Sequence, residues 1–384
     1  MIQHNKDVSK IRLAHSILAS TFLFVLGACS QQYDLGVVSL PDPKVSEHET
    51  PRSLKDYRES FTVTPATASQ IDILFVIDNS ASMGEEQDNL AASFDGFINT
   101  FQTKGLDFHL GVVSTDTIFP SGASSADLGS RAWTSGAYTG INNRGPGSLL
   151  SRDADKYLSH DSPNLTERFK NNVKLGESGS PYETGVLAAI YALDPSLLSA
   201  GEWNEGFVRS QAFLSIIFLS DEDESSVSSD VNYNYIVNDP TSATQRKNEF
   251  FNRVLSLKNS KRGMIRVDAI VKPSAESCSH ARQAGIFYSQ MASAFGGRIS
   301  NICNDFSADL ASIGDQISSD VQSTFALNKS ADSKLVITLN GTTLVVGRDY
   351  QYQINSKSVK LLGSALTFVK SNPSTIVVNY SSYE

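Results

Sequence analysis

The sequence predicts an α/β fold: a doubly wound, mostly parallel sheet with a small all-β domain at its C-terminal end. Three observations carry that expectation. Residues 71–77 and 212–219 are short, almost continuous apolar runs, as strands covered on both faces of a sheet require. Segments with helical spacing alternate with strand-like segments from 71 to 325, the signature of layered α/β folds. Beyond Asp332 the helical spacing gives way to short strands and hairpin turns.

Composition sets the outer limits. The chain has 384 residues, of which 40% are hydrophobic and 9% aromatic, ample for one large domain plus extras. Its formal net charge of −9 argues against a nucleic-acid partner. Residues 1–28 read as an export signal: Lys6, Lys10 and Arg12 precede an apolar stretch, 17–27, too short to span a bilayer comfortably. The stretch ends Leu26-Gly27-Ala28-Cys29, which resembles a bacterial lipobox. That resemblance implies cleavage before Cys29, lipidation (palmitate) of Cys29 and anchoring in a membrane. Ser30, where an Asp would be the inner-membrane cue, favours the outer membrane. Cys278 and Cys303 are then an even pair in an exported chain, which predicts a disulfide closing a loop of about 25 residues, worth ~3 kcal/mol.

Residues 29–69 are expected to be a polar tether, with Pro41, Pro43, Pro51 and many charges, and a short strand near 61–64 leading inward. The main domain, 70–327, opens with the strand at 71–77. Asp78, Ser80 and Ser82 follow at alternate positions. A loop leaving the strand end there can turn one carboxylate and two hydroxyls to the same point. Those are hard oxygen ligands, suited to Mg2+ and less selectively to Ca2+, in the crevice where open α/β sheets bind ligands. Leu90, Phe94, Phe97, Ile98 and Phe101 recur at helical spacing, and 107–114 reads as the second strand. Residues 115–178 are a long Ser-, Gly- and Asn-rich insertion, with a strand expected at 131–139 and helix at 169–173. It carries specificity or is mere decoration. Ser180 before Pro181 reads as a helix start, continued by Val186, Leu187, Ile190, Tyr191 and Leu193. The buried strand at 212–220 runs straight into four acids, 221–224. A helix at 248–257, a strand at 264–271, a helix within 278–295, a turn and strand at 296–303, and a last helix bearing Leu310, Ile313, Ile317 and Val321 complete the alternation.

D-x-S-x-S behind a buried strand, followed by Met83 and Gly84, resembles the opening of the metal-ion-dependent adhesion site of von Willebrand factor type A (vWA) domains, a Rossmann-like family. The phrases DNSASM, FVRSQAFLSIIFLSDEDESS and ISNIC make the chain similar in particular to exported vWA lipoproteins of predatory and gliding bacteria. The resemblance covers 71–325 apart from the insertion. It implies that a second loop adds a ligand, for which Ser180, Glu183 and Thr184 are the alternatives, Thr184 being placed already inside the helix. It implies a third loop that contributes Asp221. The implied metal site is therefore Asp78, Ser80, Ser82, Ser180, Glu183 and Asp221, holding Mg2+, with Mn2+ or Ca2+ also accepted. Glu222 to Glu224 would add negative field or a second cation site. The last helix slides in some relatives when the site engages its ligand.

After Asp332, Leu335–Leu339, Asn340-Gly341 and 342–346 form a strong hairpin signal. Further short strands are expected at 350–354, 359–362, 366–369 and 376–380, making 328–384 a sandwich-like domain for packing, spacing or partner binding.

The leading expectation is a cell-envelope adhesion module. Few carboxylates and several hydroxyls leave the cation short of ligands, so an Asp or Glu of a protein partner can complete it. A second expectation is a scaffold subunit of an envelope assembly, with a structural metal or none. A metal-assisted hydrolase using Asp78 and Asp221 is the third. G-x-S-x-G, H-E-x-x-H and G-x-x-x-x-G-K-[ST] are all absent, and His48, His109, His160 and His280 share no metal-ligand spacing; the chain is not expected to be an enzyme.

Overall fold

The computed structural model describes residues 52–63, 70–117, 141–142, 145–180, 182–227, 240–278 and 281–384. Within them, β1 (Leu54–Val63) precedes β2 (Gln70–Ile77), α1 (Gly84–Thr103) and β3 (Asp107–Ser114). Then follow β4 (Leu158–Ser159), α2 (Leu165–Val173), α3 (Gly185–Ala192), α4 (Pro195–Leu198), β5 (Phe213–Leu219), α5 (Pro240–Leu257), β6 (Ile265–Val271), α6 (Ile286–Ala294), β7 (Ile299–Asn301) and α7 (Phe306–Ser323). The chain ends with β8 (Thr324–Ala326), β9 (Ser333–Leu339), β10 (Thr342–Thr343), β11 (Tyr350–Gln353), β12 (Ser358–Leu361), α8 (Gly363–Ser371) and β13 (Ser374–Tyr383).

The central sheet has six strands in the order β4-β3-β2-β5-β6-β7. All neighbours are parallel except β4, which pairs antiparallel at the edge. Strand alternation sends Ile71, Ile73, Phe75 and Ile77 into one core with Phe94 and Phe97 of α1, Phe169 of α2 and Leu310 and Ile313 of α7. Leu74 and Val76 face the other core, with Val186 of α3, Phe250 of α5 and Tyr288 and Met291 of α6. Every residue of β5 and β6 is buried, which is why both read as unbroken apolar runs. In register, Ile77 lies beside Ser114 and Leu219, so β2, β3 and β5 end level with one another. That common edge positions the site.

Several expectations need correcting. The expected tether contains β1, which pairs antiparallel with β13 from Leu54↔Tyr383 to Val63↔Ser374. The α/β unit is thus inserted between β1 and the rest of the C-terminal region. Only the end of β1, near 61–64, is expected as strand from the sequence; its earlier part is obscured because an edge strand carries charges on its open side, and Tyr57, Phe61 and Val63 mark its covered face. The C-terminal region is not all-β. It holds the antiparallel sheets β1-β13-β9-β10 and β11-β12-β8, but 366–369, expected as a strand, lies in α8. Ala365 and Val369, four apart, are its buried face, so the helical period was present within the apolar run. The strand expected at 131–139 lies outside the described residues. The helix expected from Ser180 begins at Gly185. Cys278 and Cys303 form the expected disulfide, Cα–Cα 5.7 Å. Among the described residues no helix is long and apolar enough to cross a membrane.

Candidate metal centre

Three loops leave the level strand ends of β2, β3 and β5, and a fourth segment enters α3. Asp78 follows β2 directly and is fully buried. Its Oδ1 accepts the Ser80 N–H at 2.8 Å and its Oδ2 the Ser220 hydroxyl at 2.6 Å, while its own N–H reaches Leu219 O of β5 at 2.9 Å. The Ser80 and Ser82 hydroxyls lie 3.4 Å apart, and Ser80 is 4% exposed. Gln87 of α1 fastens this loop to the next: its Nε2 donates to Asp78 O and Gly176 O, both at 2.9 Å, and its Oε1 accepts Gly176 N–H at 2.9 Å.

The segment before α3 carries the three alternative ligands, and the structure separates them. Glu183 is fully buried; Thr115, just past β3, donates its hydroxyl to Oε2, and Oε1 has no hydrogen-bond partner. Thr184 is not inside the helix but immediately before it. Its hydroxyl donates to Thr115 O at 2.6 Å and lies 2.6 Å from Thr117 Oγ1, so it is spent on joining this loop to the end of β3. Ser180 is half-buried, and its hydroxyl accepts Tyr182 N–H at 3.0 Å within its own loop. Gly179 N–H donates to Asn79 O at 2.9 Å, which lays this loop against the first.

The four acids after β5 are all buried and are not a solvated charge run. Asp221 is 1% exposed; neither of its carboxylate oxygens has a hydrogen bond of normal length, although the Ser82 hydroxyl stands near enough to favour its charged form. Asp223 and Glu224 face helix N-termini, where negative charge is favoured: Phe287 N–H of α6 donates to Asp223 at 2.8 Å and Val186 N–H of α3 to Glu224 at 2.7 Å. Both are structural, which removes them from the expected second cation site. Glu222 instead joins the cluster.

Burial raises all of these acids. It is the largest cause at Asp78, where the charge of Asp221 adds to it, and at Glu183, pushed well above the ordinary value with help from Asp78. Asp221 is raised by burial, opposed by Ser82 and by Arg282. Burial, then the charges of Asp221 and Asp78, lift Glu222 to about 7. Among the described residues no three His, Cys, Asp or Glu side chains converge to make a cation cage by themselves. The donor set is mixed instead. Glu183 and Asp221, buried acids with oxygens that lack a normal hydrogen bond, lie on loops near enough to Asp78 for charge to act between it and each of them, and the Ser80 and Ser82 hydroxyls sit on the Asp78 loop; all are hard oxygen donors. That chemistry suits a small divalent cation, and those carboxylate oxygens are the atoms it would satisfy.

These raised values give a pH dependence. Burial holds Asp223 at about 6 and Glu224 at about 7. Each folded-state value lies above the unfolded one, so the folded chain keeps protons that the unfolded chain releases. The stability this contributes is complete below the unfolded values, near pH 4, and is lost as pH rises through 6 to 7. Glu224 alone accounts for about 3 kcal/mol, at roughly 1.4 kcal/mol per pKa unit. In chelator, calorimetric Tm is expected to fall several degrees from pH 5 to pH 8.

Sequence reasoning missed Thr115, Ser220 and Gln87, and gave Glu222 only together with Asp223 and Glu224, as negative field or a second cation site. Ser220 and Thr115 were open to inference, being the residues that follow the strand ends in register with Asp78. No protein-family model and no curated protein sequence matches the chain. Among solved structures, the pilus adhesin SpaC of Lactobacillus rhamnosus GG in its open conformation is similar at a TM-score of 0.37 and 11% identity, over 87% of this chain and 41% of that one. Proximal thread matrix protein 1 of the mussel byssus gives 0.34 and 12%, over 66% and 48%. The human COPII-coat protein Sec24c gives 0.35 and 9%, over 85% and 41%. The chain thus spans less than half the length of each of these structures, and likenesses this loose assign it neither a family nor a function.

Proposed function

We propose that the α/β unit is a doubly wound vWA domain that binds a protein partner through a divalent cation. Asp78, Ser80, Ser82, Glu183 and Asp221 hold the cation, with Ser180 at the rim and Mg2+ the first choice over Mn2+ or Ca2+. The observation that carries this reading is the pair of buried acids with oxygens that lack a normal hydrogen bond, Glu183 and Asp221, brought from separate segments to the edge where Asp78 emerges. The cation neutralises their charge. An Asp or Glu of the partner completes its coordination, which lets two acidic surfaces meet. Binding rather than catalysis is the role, and lipid on Cys29 anchors the chain to the envelope, at the outer membrane.

The test is chelator-sensitive capture. Immobilised full-length protein is exposed to solubilised envelope and surface proteins with Mg2+ or with EDTA, alongside Asp221→Ala. The expected result is a partner retained only by wild type with Mg2+. Partners retained equally in EDTA and by the variant contradict the reading and favour a scaffold that works without metal.

A further inference from the structure

One cationic side chain stands at the rim of this acidic site. Arg282 Nη1 lies 3.5 Å from Glu222 Oε1, a single, long ion pair. The Arg282 side chain is 58% exposed, whereas that of Glu222 is 7% exposed. Its charge acts on Asp221 as well as on Glu222. The backbone, not the ion pair, holds Arg282 there. Gln283 N–H donates to Asp221 O at 3.1 Å, Gly285 N–H donates to Lys272 O at 3.0 Å, and Cys278 is bridged to Cys303. Residues 281–285 are therefore fastened to the loop that carries Asp221 and to the end of β6.

We infer that Arg282 is a tethered counter-ion of the cation site: paired with Glu222 at the rim, its guanidinium also offsets the charge of Asp221 when no cation is bound, and a divalent cation that takes Asp221 must overcome that positive field. This rests on the cation-binding reading above. A free cation in solution would dissociate from such a pair; one carried on a pinned segment stays at high local concentration and sets a threshold for loading. When the cation takes Asp221, the guanidinium keeps Glu222 as its partner and no longer offsets Asp221. It remains at the rim as a positive group beside the position of the incoming ligand.

Calorimetric titration of Mn2+ into full-length wild type, Arg282→Gln and Arg282→Lys tests this. Removing the charge is expected to tighten Mn2+ binding roughly three- to tenfold, the range set by one nearby, partly solvated charge. Arg282→Lys keeps the charge and is expected to stay within about twofold of wild type, and the gap between wild type and Arg282→Gln is expected to shrink at high salt. Equal or weaker binding by Arg282→Gln overturns the inference, as does an equal gain in Arg282→Lys, which would point to crowding rather than charge. In both cases the cation site itself stands. If wild type and both variants bind no Mn2+, the cation-binding reading falls, and this inference falls with it.

Discussion

Arg209→Met is expected to destabilise the fold by about 3–5 kcal/mol, the usual cost of stranding a buried charge. Asp72 of β2 is fully buried. Arg209 satisfies both of its oxygens, through its backbone N–H at 2.7 Å and its Nε at 2.8 Å, and spans to Asp107 of β3 at 2.7 Å and to Ile71 O at 2.9 Å. The other cation nearby, Lys258, is itself fully buried, donates to Arg209 O at 2.6 Å and stands 3.7 Å from Asp72. Burial lowers Lys258 to about 8 and raises Asp72 even against the pull of Lys258 and Arg209, so the network has little to spare. Methionine keeps the length of the stem and removes only the guanidinium. Guanidinium-chloride unfolding measures the loss. Asp72→Asn in the same chain is expected to recover a good part of it, because the two groups act as one unit. The network joins the starts of β2 and β3, at the opposite end of the sheet from Asp78. Variants here that still fold are therefore expected to leave cation binding unchanged.

Asp221→Ala is expected to do the reverse: abolish cation binding, by a hundredfold or more, while leaving the cation-free fold as stable as wild type or more stable. The carboxylate is buried, burial outweighs the help it receives from Ser82 and from the exposed Arg282, and its charge raises Asp78 and Glu222. Removing it relieves an unmet desolvation cost, of about 1–3 kcal/mol for such a group. A residue kept for structure loses stability when truncated; one kept for a ligand does not. In Mg2+ the order is expected to invert, since wild type alone gains the linkage stabilisation of a bound ligand.

The strands that build this site were the most legible part of the chain. β2 and β5 are apolar throughout because both faces of the sheet are covered, and a run such as ILFVI admits few other readings. Asp78, Ser80 and Asp221 follow from where those strands stop. The second loop was legible only as a set of alternatives. Whether Glu183 or Thr184 has an oxygen left over beside Asp78 depends on where α3 starts, and the Ser180-Pro181 pair is a better-looking start than the Thr184 the chain uses. Thr184 is held outside the helix by bonds to Thr115 and Thr117, sixty-odd residues earlier, which no local pattern encodes. The same holds for β1, whose partner is the last strand of the chain, and for Asp223 and Glu224, whose role depends on helices that pack beside them. Local periodicity marks elements; contacts between distant segments decide which oxygen remains unpaired.

The most direct measurement is calorimetric titration of Mg2+ into the full-length protein, wild type against Asp221→Ala, with the fold of each verified by circular dichroism. Saturable binding at one site by wild type, absent in a folded Asp221→Ala, is the result expected. Two folded proteins that both take up no Mg2+, or that take it up equally, would contradict a cation site at Asp78, Glu183 and Asp221.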